Sequence, residues 1–320
     1  MKLVLAGAEG EAHFGILDEL KAEIPDLEIA IELDPAKVMA AVADAEVVYG
    51  LPSAALVKAA PKLRWIQSSA AGVEYIARIP EVVESDIVVT NTRGAHGPSI
   101  GEHTFALLFA LTRHLPECFE RQKAHRWDRT DLYRSAREMK GSTMGIVGYG
   151  AIGRAIARRA AAFEMDLLAV DAEAVDPDEQ VEEVWPVSRL GDLLKQSTAV
   201  VVTAPLTPET HHMIDAVMLA RMRPDAYLIV VSRGGIVEES ALAAALHEGR
   251  LAGAAIDVAE QEPLPADSPL WDAPNLVITP HLAGASSEKE RRCVEILKAN
   301  LLRYRNGEPL LNEVDKRRGY

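Results

Sequence analysis

Short apolar runs alternate with longer stretches of helical spacing along most of this chain. In the first ninety residues the apolar runs have the length and composition of buried strands, and they occupy residues 3–6, 27–32, 45–49, 63–67 and 87–90. Helical patterns lie between them, at residues 14–21 and 35–43 for example. Because strands and helices that alternate in this way form parallel sheets, the pattern predicts a doubly wound α/β domain.

A second series of the same kind covers residues 140–279. Its six strands are predicted just before Gly148 and at residues 167–171, 198–204, 227–232, 253–258 and 276–279. Helices fit between these strands, and the clearest of them is at residues 238–248. The pattern therefore predicts a second doubly wound domain.

The two series meet at residues 91–98, where two glycines and a proline interrupt the pattern. A helix predicted at residues 100–115 follows and is apolar on nearly all sides, so it must be buried within its domain or against a second subunit. The last predicted helix, at residues 287–304, is expected to return to the first domain, whose sheet would otherwise keep an open face. We therefore predict one domain from residues 1–98 and 285–320, with a second domain at residues 99–284 inserted into it.

A glycine motif opens the inserted domain. Gly148 and Gly150 follow a predicted strand, Gly153 lies in the helix that begins there, and the next strand ends at Asp171. In such a unit the first glycine permits a tight turn, the second lets the backbone approach a pyrophosphate, and the third allows close packing of helix on strand. An acid at the end of the second strand accepts hydrogen bonds from the adenosine ribose and repels a 2′-phosphate. The sequence thus predicts a Rossmann domain that binds NAD, with NADP disfavoured.

Composition and charge narrow the possible partners. The chain has 320 residues, 48% of them hydrophobic and 26% charged, which is enough for two cores. Its formal net charge of −14 argues against nucleic acid or an anionic membrane as partner. The first apolar stretch is too short for a signal peptide or a membrane span.

Cysteine and histidine usage excludes two further classes of site. Cys118 and Cys293 are the only cysteines, too few for a disulfide framework or a thiolate metal site, which favours a cytoplasmic location. His211 and His212 are adjacent but have no metal-ligand partner at useful spacing, so no metal is predicted.

Three segments that follow late strands of the inserted domain carry candidate catalytic residues: Arg233, Glu262 and His281. Hydride transfer to a 2-oxo acid requires a grip on the carboxylate, polarisation of the carbonyl and a proton for the alkoxide. A guanidinium offers a planar, permanently charged fork for the first two tasks. A histidine can exchange the proton near neutral pH, and a glutamate can hold the imidazole.

On these motifs the chain resembles the D-isomer-specific 2-hydroxyacid dehydrogenases over nearly its whole length. The matching segments are residues 148–153, 204–210, 233–234, 257–265 and 279–281. The resemblance implies that Arg233, Glu262 and His281 are catalytic, and that Asp257 contacts the nicotinamide amide. It also implies a flavodoxin-like substrate domain completed by the C-terminal helix, and a homodimer formed through the helix at residues 100–115.

The complete predicted site combines the motif residues with the family expectation. Cofactor contacts are predicted at Gly148, Gly150, Ala151, Ile152, Gly153, Asp171, Thr203, Ala204, Pro205, Ser232, Asp257 and Gly284. Substrate contacts are predicted at Ala71, Gly72, Val73, Arg233 and His281. Two residues depart from the family pattern: Glu164 replaces an expected glycine, and Thr203 replaces a bulkier residue beside the adenine pocket.

We therefore expect an NAD-dependent oxidoreductase that interconverts a small 2-oxo acid and a D-2-hydroxy acid. The alternative is an NAD-sensing, corepressor-like binding protein on the same scaffold. The Arg–Glu–His set favours the enzyme without excluding the alternative, because corepressors of that type keep these residues.

Overall fold

The computed structural model describes residues 1–7 and 11–319, apart from the side chain of Lys21. The chain divides into two compact units, which we call unit 1 (Met1–His96 with Ala285–Tyr320) and unit 2 (Gly97–Gly284). The change of unit lies two residues before the predicted boundary, because Gly97 and Pro98 form the first turn of a helix.

Unit 1 is built on a parallel sheet. The described residues form five strands: β1 (Lys2–Ala6), β2 (Glu28–Glu32), β3 (Val47–Tyr49), β4 (Trp65–Gln67) and β5 (Val88–Thr90). Their order in the sheet is β2-β1-β3-β4-β5, which is the flavodoxin-like order. The helices between them are α1 (Leu20–Glu23), α2 (Pro35–Ala41), α3 (Ala54–Ala59) and α4 (Pro80–Val83). Two 3-10 helices cover Glu11–Glu19 and Glu74–Arg78, so the helix predicted at residues 14–21 is mostly 3-10.

Both faces of this sheet are covered. Val38 of α2 and Leu56 of α3 pack on one face, where they contact a cluster that includes Val4 and Val48. The other face packs against a C-terminal helix, Ser287–Asn306, which buries its residues Val294, Leu297 and Leu301. The helix begins where Ser286 Oγ accepts the amide of Lys289 and ends at Gly307, whose φ is 67°.

Unit 2 contains the second parallel sheet. In the described part of the chain its seven strands are β6 (Thr143–Val147), β7 (Asp166–Asp171), β8 (Val184–Pro186), β9 (Ala199–Val202), β10 (Tyr227–Val230), β11 (Gly253–Ile256) and β12 (Leu276–Ile278). The order β12-β11-β10-β9-β6-β7-β8 is that of a Rossmann fold with an added edge strand. These two sheets confirm the predicted fold class.

Helices cover both faces of the second sheet. They are α5 (Gly97–Thr112), α6 (Leu115–Lys123), α7 (Thr130–Ser135), α8 (Ala151–Ala162), α9 (Leu190–Gln196), α10 (Ala216–Leu219) and α11 (Glu239–His247), with a 3-10 turn at Val187–Arg189. The apolar side of α5 packs with α8 on one face, while α9 and α11 pack on the other. The carboxyl ends of β6 and β9, where strand order reverses, therefore adjoin each other at the edge where such sheets bind ligands.

Two local features differ from the sequence prediction, and a third concerns a departure from the family pattern. The strand β8 was missed because its three residues follow Glu182 and Glu183 and end in Pro186, so no apolar run marks it. The long apolar helix ends at Thr112 rather than at residue 115, since His114 adopts a left-handed φ of 55° and Pro116 opens the next helix. Glu164, the residue in place of a glycine, has a φ of 58°, so it retains the left-handed conformation that a glycine would adopt more easily.

Among the described residues, no helix combines the length and the apolar character needed to cross a lipid bilayer. The sequence predicts a loop of the substrate domain at residues 7–10. Residues 8–10 of this loop lie outside the described residues.

Candidate active site

The turn between β6 and α8 depends on glycines. Gly148 has a φ of 97°, and a Cβ atom there would lie 2.7 Å from the amide nitrogen of Ala204. A Cβ atom on Gly153 would lie 2.3 Å from the carbonyl oxygen of Gly148, so helix and strand are in direct backbone contact. A larger residue at position 148 must therefore push apart the carboxyl ends of β6 and β9, and a larger residue at position 153 must push α8 away from β6.

The N-terminus of α8 is open to an anion. Gly150 is its N-cap and provides no side-chain hydrogen bond, and the Cβ position of Gly150 has no atom within 4 Å. The first amides of the helix, at Ala151, Ile152 and Gly153, carry the positive end of its dipole. This arrangement fits a pyrophosphate.

Asp171 ends β7 beside this turn. Its carboxylate accepts the amide of Tyr149 at 2.7 Å and the amide of Glu173 at 3.0 Å. An ionised carboxylate has about four acceptor positions. The two hydrogen bonds therefore orient Asp171 and leave acceptor capacity for ribose hydroxyls.

Tyr149 and Arg154 stabilise the turn between β6 and α8 through a shared partner, Asp178. The Tyr149 hydroxyl donates to Asp178 at 2.7 Å, and Arg154 donates to the other oxygen of that carboxylate at 2.7 Å. Burial, together with the hydrogen bond to Asp178, raises the pKa of Tyr149, so the phenol stays protonated and remains a donor.

Thr203, Ala204, Pro205 and Ser232 follow β9 and β10 at the same edge of the sheet. The Thr203 hydroxyl donates to the carbonyl oxygen of Gly148 at 2.6 Å and thereby ties β9 to the glycine turn. The Ser232 hydroxyl is buried and has no hydrogen-bond partner among the described residues. A buried hydroxyl without a partner is costly, which fits a ligand that supplies one.

Glu262 and His281 are in direct contact. Glu262 Oε2 lies 2.7 Å from Nδ1 of His281, and Glu262 Oε1 accepts the amide of Ala259 at 3.0 Å. The two side chains are 38% and 48% exposed, respectively, so a small substrate can reach them. With Nδ1 held by the carboxylate, Nε2 is the ring nitrogen available for proton exchange.

Asp257 organises the loop that carries His281. Its buried carboxylate accepts the Thr279 hydroxyl at 2.6 Å and the amides of Leu282 and Ala283 at 2.9 and 2.8 Å. His103 of α5 contacts the Thr279 hydroxyl at 3.0 Å. These bonds hold His281 at a φ of 53°, in the left-handed region, and the nicotinamide contact of Asp257 stays a prediction.

Arg233 lies on a turn that packs against the glutamate loop. A Cβ atom on Gly234 would lie 1.9 Å from the carbonyl carbon of Ala259, so only glycine fits the contact. Arg233 itself donates to the carbonyl oxygen of Ser232 at 2.7 Å. The structure therefore brings the loops of Arg233, Glu262 and His281 together within unit 2. Gly284, a predicted cofactor contact, is the last residue of that unit.

Ala71, Gly72 and Val73 belong to unit 1, where they follow β4. Asn91 Nδ2 donates to the carbonyl oxygen of Ala71 at 2.9 Å, and Val73 is buried. The segment thus has a fixed backbone at the carboxyl edge of the first sheet, and its contact with substrate stays a prediction.

One cluster was not found from the sequence. His211 and His212 lie against Glu260, with closest nitrogen–oxygen distances of 3.5 and 3.3 Å. Glu260, the third member, is 48 residues from His212 in the chain, so sequence spacing does not reveal it. Thr279 and Ala259 were also missed, since a hydroxyl or a backbone amide that orients a charged side chain leaves no pattern in the sequence.

Comparison with known proteins gives consistent matches. The family model described as D-isomer specific 2-hydroxyacid dehydrogenase, NAD binding domain, matches residues 105–283. A glyoxylate reductase of Thermofilum pendens is 38% identical over 257 residues, which are 80% of this chain and 76% of the relative. An (S)-sulfolactate dehydrogenase of Chromohalobacter salexigens is 38% identical over 243 residues, 76% of this chain and 78% of the relative.

A solved structure matches nearly the whole chain. It is a D-isomer specific 2-hydroxyacid dehydrogenase family protein from Aeromonas salmonicida, with a TM-score of 0.86 and 34% identity. The match covers 98% of this chain and 99% of that one.

Proposed function

Because the chain belongs to the D-isomer-specific 2-hydroxyacid dehydrogenase family, we propose that it reduces a small 2-oxo acid of the glyoxylate type. The chain is an NAD-dependent oxidoreductase that transfers a hydride between NAD(H) and a 2-oxo or D-2-hydroxy acid. The hydrogen bond of 2.7 Å between Glu262 and His281, on loops packed with the Arg233 turn, carries the assignment of the catalytic residues. The corepressor alternative gains no support from the relatives, which are named as enzymes.

The proposed division of labour follows from the side chains. NADH, when bound, supplies the hydride. Arg233 binds the substrate carboxylate and polarises the carbonyl, because its guanidinium donates several hydrogen bonds from one plane. His281 donates a proton from Nε2 to the carbonyl oxygen as the alkoxide forms, and Glu262 stabilises the imidazolium that must be present beforehand. The backbone at residues 71–73 binds the carboxylate in this proposal.

The proposed cofactor residues can be assigned to separate chemical groups of the dinucleotide. Gly148, Gly150, Ala151, Ile152 and Gly153 would hold the pyrophosphate, and Asp171 the adenosine ribose. The remaining proposed contacts, along the nicotinamide and adenine sides, are at Thr203, Ala204, Pro205, Ser232, Asp257 and Gly284. The Ser232 hydroxyl that lacks a partner is the structural observation that favours a ligand on this side.

A substrate panel tests the proposal. NADH consumption is measured with glyoxylate, hydroxypyruvate, pyruvate, phenylpyruvate and branched 2-oxo acids. We expect the highest kcat/KM with glyoxylate or hydroxypyruvate. Faster turnover of phenylpyruvate or a branched acid would overturn the proposed substrate class but not the reaction, whereas inactivity on all of them would also overturn the catalytic assignment.

The Asp171→Ala variant should lose much of its preference for NADH. The carboxylate would repel the 2′-phosphate of NADPH at short range, and removing a like-charge contact of about 1.4 kcal/mol changes an affinity ratio by about 10-fold. The ratio of kcat/KM for NADH and NADPH measures the effect. Asp176→Ala, an exposed acid of the same loop, serves as control, and an unchanged ratio in Asp171→Ala would contradict the role.

We propose a homodimer, with the contact moved from the helix at residues 100–115 to the segment that follows it. The apolar side chains of α5 are mostly covered by their own unit. In contrast, α6 and α7 bury no residue, and Phe119, Trp127 and Tyr133 are 56%, 100% and 76% exposed. Such an apolar surface is typical of a subunit contact.

Sedimentation velocity tests the dimer. The wild-type chain is expected to sediment as a dimer, and Phe119→Glu combined with Trp127→Glu as a monomer, because two buried charges destabilise an apolar contact. Val217→Glu, at a site 65% exposed on α10, is the control and should leave the dimer intact. A monomeric wild type would contradict the proposal.

We place the protein in the cytoplasm, with no nucleic acid or membrane as partner. The free thiols of Cys118 and Cys293 suit a reducing compartment, and the net charge of −14 disfavours polyanions.

A further inference from the structure

We propose that His211, His212 and Glu260 form a binding site for a divalent transition-metal ion of the zinc class. The site lies on unit 2, outside the proposed catalytic and cofactor residues. One potential ligand atom from each side chain lies within 4.8 Å of the other two.

The donor atoms converge as metal ligands do. Glu260 Oε1 lies 3.5 Å from His211 Nε2, and Glu260 Oε2 lies 3.3 Å from His212 Nε2. Zinc bonds to imidazole and carboxylate of about 2.0–2.2 Å, arranged tetrahedrally, separate neighbouring donors by about 3.3–3.6 Å. Both measured distances fall in that range, although they involve the two different oxygens of Glu260. The donor atoms of the three side chains lie within 4.8 Å of one another, so side-chain rotations would bring all three to one ion.

The chemistry of the set also fits. Two imidazoles and one carboxylate are the ligands of known zinc sites that keep an open position for water. The two imidazole rings stack with centroids 3.9 Å apart and an interplanar angle of 28°. Each ring places its Nε2 atom beside a different oxygen of the Glu260 carboxylate. A surface ion pair requires only one of the two histidines, and the second is what makes the cluster a chelating set.

The backbone fixes this arrangement. His212 has a φ of 51°, in a region that residues other than glycine rarely adopt, and its amide donates to the carbonyl oxygen of Gly235 at 2.7 Å. The amide of His211 donates to Thr207. On the other side, the amide of Glu260 donates to Glu239 Oε1 at 2.6 Å. The donors are therefore held on two anchored loops rather than on free side chains alone.

A bound ion would cross-link these two loops. Glu260 lies two residues from Glu262, and its neighbour Ala259 contacts Gly234 and donates to Glu262. An ion that bridges Glu260 to residues 211–212 would thus stabilise the segment that orients the proposed acid–base pair. We expect zinc to raise the Tm of the protein, because a ligand that binds only the folded state stabilises it.

Isothermal titration calorimetry with ZnCl2 tests the site. All proteins carry Cys118→Ser, which removes an exposed thiol as a competing ligand. The parent is expected to bind one zinc ion per chain. His211→Gln and Glu260→Gln should each weaken binding by about 10-fold or more, since loss of even an outer partner of a metal ligand costs 10- to 100-fold.

His247→Gln is the matched control, because His247 is an exposed histidine of the same unit that is outside the cluster. The His247→Gln protein should bind zinc with the same affinity as the parent. Zinc should raise the Tm of the parent and of His247→Gln, but not the Tm of Glu260→Gln. NADH-dependent turnover without zinc should be equal in all variants and shows that each is folded. No zinc binding by the parent, or equal affinity in the cluster variants and the control, would overturn the proposal.

Discussion

His281→Ala is expected to lower the turnover of the 2-oxo acid by about 100- to 10,000-fold, the range that a positioned general acid contributes. The imidazole is held at Nδ1, 2.7 Å from Glu262, so its Nε2 is the ring nitrogen that can donate the proton. Without it the alkoxide must take its proton from water. NADH affinity, measured by fluorescence titration, should change little, because the His281 side chain is not among the proposed cofactor contacts.

Two further variants sharpen this test. Glu262→Gln retains a side chain that can accept a hydrogen bond but lacks the charge that stabilises the imidazolium, so its rate should fall between wild type and His281→Ala. His247→Ala, on the last turn of α11, should be fully active. Wild-type turnover in His281→Ala would show that another group donates the proton.

Gly234→Ala is expected to lower kcat/KM by about 100-fold, which is the cost of moving a catalytic group by about 1 Å. The new Cβ atom would overlap the carbonyl carbon and oxygen of Ala259, at 1.9 and 2.0 Å, and both atoms are backbone and cannot rotate away. The loop must shift, and with it the Ala259 amide that holds Glu262. Steady-state kinetics and a thermal melt measure the loss of rate and the accompanying loss of stability.

The matched control is Gly249→Ala. Gly249 has a φ of 65° and no atom within 4 Å of its Cβ position, so alanine there adds backbone strain without a collision. It should lower Tm slightly and leave kcat/KM unchanged. Equal activity of Gly234→Ala and Gly249→Ala would mean that contact with Ala259 does not position Glu262.

Much of the fold could be predicted because buried parallel strands are nearly continuous apolar runs. The strands β6, β9, β10 and β11 are all read directly from such runs. The strand β8 could not be, because its three residues follow two glutamates and end in Pro186, so no apolar run marks it. The end of α5 at Thr112 was missed as well, since the apolar pattern continues through a turn that is set by His114 and Pro116.

The candidate site divides in the same way. Arg233, Glu262 and His281 could be selected because each follows a predicted strand, and carboxyl ends of parallel strands share one edge. The residues that orient these side chains could not be predicted. The hydrogen bonds from the Ala259 amide to Glu262 and from the Thr279 hydroxyl to Asp257 depend on three-dimensional loop geometry. The approach of Glu260 to His211 and His212 is a long-range contact of the same kind.

The split of unit 1 between the two ends of the chain has a consequence for synthesis on the ribosome. Residues 97–284 emerge as one continuous stretch and contain every strand of their sheet. The first sheet, made earlier, lacks the side chains of Val294, Leu297 and Leu301, which cover one of its faces together with those of residues 14–24. The domain translated first must therefore wait with part of an apolar face exposed until the helix Ser287–Asn306 leaves the ribosome, while the domain translated second can finish folding before it.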